Sequence, residues 1–260
     1  MDLDRLFDVR GRNALVTGGA RGIGLMIAEG LVRAGAHVWI CSRTAAEVEA
    51  AVERLSSLGQ TRGVVAVLAL PEGVDAIDEA LSEAPRLDIL VNNAGTSWAA
   101  PVETFAKEGF DKVLNLNLTA PFMLTQRLLP RMKAAATIEH PARIINVASI
   151  DGLAPPDRNT FSYSSSKAGL IMLTRHLASA LAADRVTVNA IAPGIFESKM
   201  TAFWFNPNHP RHESLPAFPL GDRPGRPEDI AGAVIYLASR AGSHVTGAVI
   251  PVAGGADVFP

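Results

Sequence analysis

Apolar residues fall along this chain in two patterns. Short unbroken runs occur at 13–17, 37–42, 63–70, 87–91, 143–148, 185–192 and 245–252. Between them, apolar positions return every three or four residues, at 25–34, 44–58, 74–84, 105–133, about 160–183 and 226–239. An unbroken run reads as a strand buried on both faces, and the wider spacing as an amphipathic helix. Strand and helix therefore alternate, which predicts an α/β fold with all 260 residues in one domain. Pro121 is expected to kink the long helix just after Asn117 and leave backbone groups there free to hold a water. The pattern dissolves at 195–219, a stretch rich in Pro, His, Asn and the aromatics Phe203, Trp204, Phe205 and Phe218. It is long for a plain loop and too aromatic for disorder, so it reads as a substrate lid, with an oligomer contact as the alternative.

The candidate chemistry sits where strands end, which is where open α/β sheets bind ligands. After the first run comes Gly18-Gly19-Ala20-Arg21-Gly22-Ile23-Gly24, then a helix. Gly18 permits a tight turn, Gly22 lets backbone approach a pyrophosphate, and Gly24 lets helix and strand pack closely. The helix N-terminus adds amide donors and a positive partial charge for phosphate. The second strand ends at Ser42-Arg43, with no carboxylate to hold a ribose diol. Arg43 with Arg21 could instead bracket a 2′-phosphate, which favours NADP(H) over NAD. Two solvated surface arginines are the plain alternative. The fourth strand runs into Asn92-Asn93-Ala94-Gly95, small and amide-bearing residues suited to close approach of a cofactor, or simply a turn.

The fifth strand reaches Ser149, and after a Gly/Pro/Asp-rich loop a helix carries Tyr163 and Lys167. Positions four apart share a helical face. A free tyrosine has a pKa near 10, and lowering it by about three units takes ~4 kcal/mol. One lysine charge at ~4 Å, at an effective dielectric near 20, supplies about that much. The pair thus predicts a phenol made acidic enough to exchange a proton, with the Ser149 hydroxyl holding the same carbonyl oxygen. Taken alone, Tyr-x-x-x-Lys reads first as a helix with a solvated lysine, and only the residues around it reverse that reading.

Composition narrows the function. Charge is balanced, 24 basic against 26 acidic residues, which argues against a nucleic-acid partner. Cys41 is the only cysteine, so no disulfide or thiolate cluster can form within the chain. His209 and His212 lack a supporting carboxylate, and no metal is expected. The first twelve residues have no apolar core of a signal peptide, and no uncharged apolar run approaches a membrane span, so a soluble, cytoplasmic protein is expected.

These residues together resemble the short-chain dehydrogenase/reductase family. The matching motifs are the stretch from Thr17 to Gly24, Asn92 to Gly95, Asn117, Ser149, Tyr163 with Lys167, and Pro193-Gly194, in the family's order. The stretches DILVNNAGTSW, from Asp88, and PARIINVAS, from Pro141, look especially like bacterial 3-oxoacyl reductases of the rhamnolipid-biosynthesis type. The resemblance implies a single Rossmann-fold domain with a doubly wound, seven-stranded parallel sheet. It implies a catalytic tetrad at Asn117, Ser149, Tyr163 and Lys167, in which Lys167 also binds the nicotinamide ribose and Asn117 completes a proton relay through a water. It adds Pro193, Gly194, Phe196 and Ser198 to the cofactor candidates. It also implies a homotetramer or dimer that pairs the helices around 105–133 and 160–183.

Three positions depart from the family pattern. Ala69 stands where an aspartate usually lies near the adenine, which removes a hydrogen bond of ~1 kcal/mol. Ala253-Gly254-Gly255 replaces Asp-Gly-Gly, and Ser198 replaces a common threonine. The implied activity is NADPH-dependent reduction of a ketone, such as a 3-oxoacyl thioester. Oxidation of a secondary alcohol by the same site, or a cofactor-binding sensor without turnover, are the alternatives.

Overall fold

The computed structural model describes residues 3–210, 219–221 and 223–256. One seven-stranded sheet runs through it, built from β1 (Asn13–Thr17), β2 (His37–Ser42), β3 (Thr61–Val65), β4 (Ile89–Asn92), β5 (Ala142–Val147), β6 (Val186–Pro193) and β7 (Val249–Val252). The spatial order is β3-β2-β1-β4-β5-β6-β7 with every pair parallel. The order reverses between β1 and β4, so connections leave to opposite sides there and open a crevice at the strands' carboxyl ends.

Helices cover both faces, which is why the central strands are apolar without alternation. β4, β5 and β6 are buried at every position. On one face Val16 and Ile145 pack with Ile27 and Leu31 of α2 (Gly22–Arg33), Leu55 of α3 (Ala45–Ser56) and Val234 of α8 (Pro227–Ala238). On the other, Leu15 and Ile144 pack with Ile77 of α4 (Pro71–Ala80), Leu124 and Leu128 of α6 (Ala120–Ala135) and Leu181 of α7 (Phe161–Leu181). Among the described residues, no helix is long and apolar enough to cross a membrane.

Several elements differ from the sequence reading, among them β7, which starts at Val249 rather than at 245. The run at 63–70 is a strand only to Val65, which pairs with Ser42 at the end of β2. With no neighbouring strand left to pair, the chain turns away, and Val67 and Leu70 lie exposed. The helix expected over 105–133 is broken in two. α5 (Lys107–Leu114) meets α6 through a π-turn at Asn115–Thr119, and the Ala120 amide reaches back five residues to the Asn115 carbonyl. Pro121 is the local cause, because it has no N–H to close the ordinary bond onto the Asn117 carbonyl. A short helix, α1 (Leu3–Leu6), precedes β1 and has no counterpart in the apolar pattern.

Candidate active site

The β1–α2 turn is shaped by its glycines. Gly18 and Gly22 have φ of +62° and +54°, which a side chain would disfavour. A Cβ on Gly24 would overlap the Gly18 carbonyl oxygen and the Asn93 amide. α2 has no side-chain cap and no acid in its first turn, so its amide donors face an anion site unopposed. These features fit the pyrophosphate of a dinucleotide. Ser198 lies close against Gly22, which brings the segment after β6 over the turn.

Thr17 ties this turn to the end of β4. Its hydroxyl donates to the Val91 carbonyl at 3.2 Å and accepts from the amides of Asn93 and Ala94 at 2.9 and 3.0 Å. The Asn93 side chain donates to the carbonyls of Thr17 and Gly18 at 2.8 and 3.3 Å. It therefore braces the glycine turn rather than pointing at a ligand. Gly95 lies against the Asn117 carboxamide. At the end of β2, Arg43 is exposed, whereas Arg21 forms an ion pair with Glu47 of α3 at 3.1 Å. Beyond β3, the Ala69 carbonyl accepts from the Asn115 side chain at 2.9 Å.

Asn117 is fully enclosed in the π-turn. Its carboxamide accepts from the Thr96 amide at 2.8 Å and donates to the Thr96 carbonyl at 2.9 Å and the Ser166 hydroxyl at 3.0 Å. The side chain fixes the loop after Gly95 to α7, so any water it orders must be held through its backbone carbonyl. Below, the Asn92 amide donates to the Asn146 side-chain oxygen at 2.9 Å, and the Asn146 amide donates to the Thr174 hydroxyl at 2.9 Å. This buried polar chain links β4, β5 and α7. Nothing in the apolar pattern marks it, although asparagines inside buried strands are a signal in themselves.

Ser149 follows β5 and opens a single 3₁₀ turn, accepting from the Asp151 amide at 3.1 Å. That bond leaves its O–H available to donate. Lys167 is buried and donates to the Val147 carbonyl at 2.7 Å, with its ammonium 5.7 Å from the centre of the Tyr163 ring. Desolvation lowers its pKa to about 8. Ser149, Tyr163 and Lys167 thus converge at the carboxyl end of β5.

The electrostatics depart from the sequence expectation. Tyr163 keeps some solvent contact, yet protein encloses its hydroxyl closely enough that burial pushes its pKa up to about 12. The neighbouring Ser149 hydroxyl and the Arg158 charge favour the phenolate, and Asp151 opposes it. Lys167 does not bring the pKa down here, because its ammonium is itself desolvated and directed at the Val147 carbonyl.

Pro193 ends β6, paired with Val252, and the Gly194 amide donates to the Val252 carbonyl. Phe196 follows two residues later, in the stretch expected to pass its backbone along the cofactor. Its ring is buried in the core against Gly225, so only its backbone can face a cofactor. In the segment taken as a lid, Trp204 is buried and Phe203 packs on both Trp204 and His209. His212 and Phe218 lie outside the described residues. Among the described residues, no group of three or more His, Cys, Asp or Glu side chains could hold a metal.

Residues 12–208 match the family model described as short chain dehydrogenase. The chain belongs to that family of oxidoreductases. It is 45% identical over 250 residues to the rhamnolipids biosynthesis 3-oxoacyl-[acyl-carrier-protein] reductase of Pseudomonas aeruginosa, covering 96% of this chain and 97% of that relative. It is 33% identical over 265 residues to the 5-keto-D-gluconate 5-reductase of Escherichia coli, covering 97% and 98%. Among solved structures, the Pseudomonas aeruginosa RhlG/NADP active-site complex superposes with a TM-score of 0.92 at 44% identity, covering 98% of this chain and 99% of that one.

Proposed function

We propose that this short chain dehydrogenase is an NADPH-dependent reductase of 3-oxoacyl thioesters or similar apolar ketones. The observation that carries the reading is the convergence of Ser149, Tyr163 and Lys167 at the same carboxyl edge of the sheet as the glycine turn. The Pseudomonas reductase and the NADP complex support the substrate class and the cofactor. Bound NADPH would supply the hydride.

The chain's own residues do the rest. The Ser149 O–H donates to the substrate carbonyl oxygen and holds it. Tyr163 Oη delivers the proton to that oxygen as the carbonyl carbon becomes a secondary alcohol. Lys167 places a positive charge beneath the phenol and can hold a ribose hydroxyl. Asn117 fixes the loop after Gly95 and presents its carbonyl to a water that can return a proton. Gly18 to Gly24 would hold the pyrophosphate of NADPH, and Ala94, Gly95, Pro193, Gly194 and the backbone at Phe196 and Ser198 would hold its nicotinamide half. Ser42, Arg43 and Arg21 would hold the 2′-phosphate, Arg21 after leaving Glu47. Residues 195–210, the described part of the stretch read as a lid, would close over the substrate.

The protein would work in the cytoplasm as a homotetramer or dimer, pairing through α6 and α7. Phe122, Met123 and Met172 lie exposed on those helices. The test is NADPH oxidation with a medium-chain 3-oxoacyl thioester. Tyr163→Phe is expected to lose about 10²–10⁴ of turnover with NADPH binding intact. Turnover that survives in the phenylalanine variant would end the assignment of Tyr163. Tight NADPH binding by the wild type, without turnover, would end the thioester assignment.

A further inference from the structure

A loop arginine joins the turn after Ser149 to the segment that follows β6. Asp151, two residues beyond Ser149, has a side chain only 12% exposed. Arg158 Nη2 donates to both of its oxygens, at 2.8 and 2.6 Å. The same guanidinium lies over the Trp204 indole, 5.2 Å from the ring centre, and Trp204 is itself 5% exposed. Loop, arginine and indole form a continuous stack from the turn at Ser149 to residues 203 and 204.

We propose that Arg158 is a positioning residue for the reaction, which neutralises Asp151 beside Tyr163 and seats Trp204 over the cleft. The inference rests on the reading of Tyr163 as proton donor. A phenol that gives up its proton must carry negative charge, and an uncompensated Asp151 beside it would oppose that. Two charged groups bear on Tyr163, Asp151, which raises its pKa, and Arg158, which lowers it; the Lys167 ammonium lies 5.7 Å from the ring centre but is turned to the Val147 carbonyl. The Ser149 hydroxyl is its polar neighbour. Arginine suits this place because one end of its planar guanidinium, Nη2, meets the Asp151 carboxylate while the rest of the plane can lie against the indole, a contact a compact ammonium would make less well.

The chain has two tyrosines, so in a Tyr236→Phe background the tyrosinate absorbance reports Tyr163 alone. The titration is run on the NADP⁺-loaded protein. Asp151→Asn is expected to move the transition down by about one unit. Arg158→Gln is expected to move it up by a similar amount. Arg158→Lys keeps the charge and leaves the transition within about 0.3 units of wild type, but weakens the stack on Trp204. That variant and Trp204→Ala should each raise KM for the 3-oxoacyl thioester severalfold and leave kcat within about twofold. Unchanged or same-sign shifts for Asp151→Asn and Arg158→Gln would overturn the proposal. Should Arg158→Gln not fold, Asp151→Asn against Arg158→Lys carries the same comparison. The titration needs no substrate, so it stands apart from failure of the thioester or of Tyr163→Phe.

Discussion

Lys167 should make the folded protein less stable at neutral pH than an apolar residue in its place. Its side chain is buried, and desolvation lowers its pKa from 10.5 to about 8. A depression of about 2.5 units at ~1.4 kcal/mol per unit is a penalty of ~3.5 kcal/mol on the charged form. The substitution Lys167→Met removes it. The Val147 carbonyl then loses its donor, which returns ~1 kcal/mol or more, so the net gain is about 2 kcal/mol. For a chain of this size that is a rise in Tm of about 4–8 °C, measured without cofactor at pH 6.5. The sign of the pH dependence follows from the direction of the shift. Below pH 8 the lysine is charged in both states, and only the folded state is penalised. Between about 8 and 10.5 the folded lysine releases its proton while the unfolded one keeps it, so wild-type stability rises toward the variant's. Melts across this window should therefore converge. Activity moves the opposite way, with turnover falling by about 10² or more. A methionine variant less stable than wild type at pH 6.5, or a stability gap that does not change up to pH 10.5, would refute the reasoning.

Two further outcomes test the cofactor half of the site. Glu47→Gln frees Arg21, whose exposed ion pair is worth ~1 kcal/mol at most. NADP⁺ affinity, read by fluorescence titration, should tighten by no more than about fivefold while NAD⁺ affinity stays level; equal changes for both would remove Glu47 from selectivity. Gly24→Ala drives a Cβ into the Gly18 carbonyl and the Asn93 amide. Overpacking of that kind costs about 1–3 kcal/mol, so NADPH should bind about tenfold or more weakly and the melt should fall; a variant that binds as wild type would show that the turn can open.

The strands were legible because a sheet covered on both faces needs apolar residues at every position, as in β4, β5 and β6. The edge was less so. The apolar run past Val65 looks the same as a strand, and only the length of its neighbour, which ends at Ser42, says where pairing stops. The π-turn escaped because one extra residue rotates the apolar stripe of a helix without erasing it; Asn117 and Pro121 mark the spot but not its form. Ser149, Tyr163 and Lys167 stand out by type and spacing. Their electrostatics do not, since the sequence says which charge is near and the fold decides how much water remains, and for Tyr163 burial wins. Arg21–Glu47 and Asp151–Arg158–Trp204 are contacts between separate elements, and no spacing along the chain announces them.

The amide chain from Asn92 through Asn146 to Thr174 works as a vernier for the catalytic centre. An apolar interior tolerates sliding, because one methyl group can replace another. Directed donors and acceptors cannot be exchanged in that way. If β5 slipped by one residue against β4, the Asn146 side chain would turn to the opposite face of the sheet, and two enclosed amides would lose partners at ~1–3 kcal/mol each. The same slip would carry Ser149 about 3.3 Å along the strand axis, out of reach of the Tyr163 hydroxyl. Because the third link is on α7, the gauge also fixes the helix that bears Tyr163 and Lys167. Alignment of the reacting groups is thus set two strands deep, at residues that never meet the substrate.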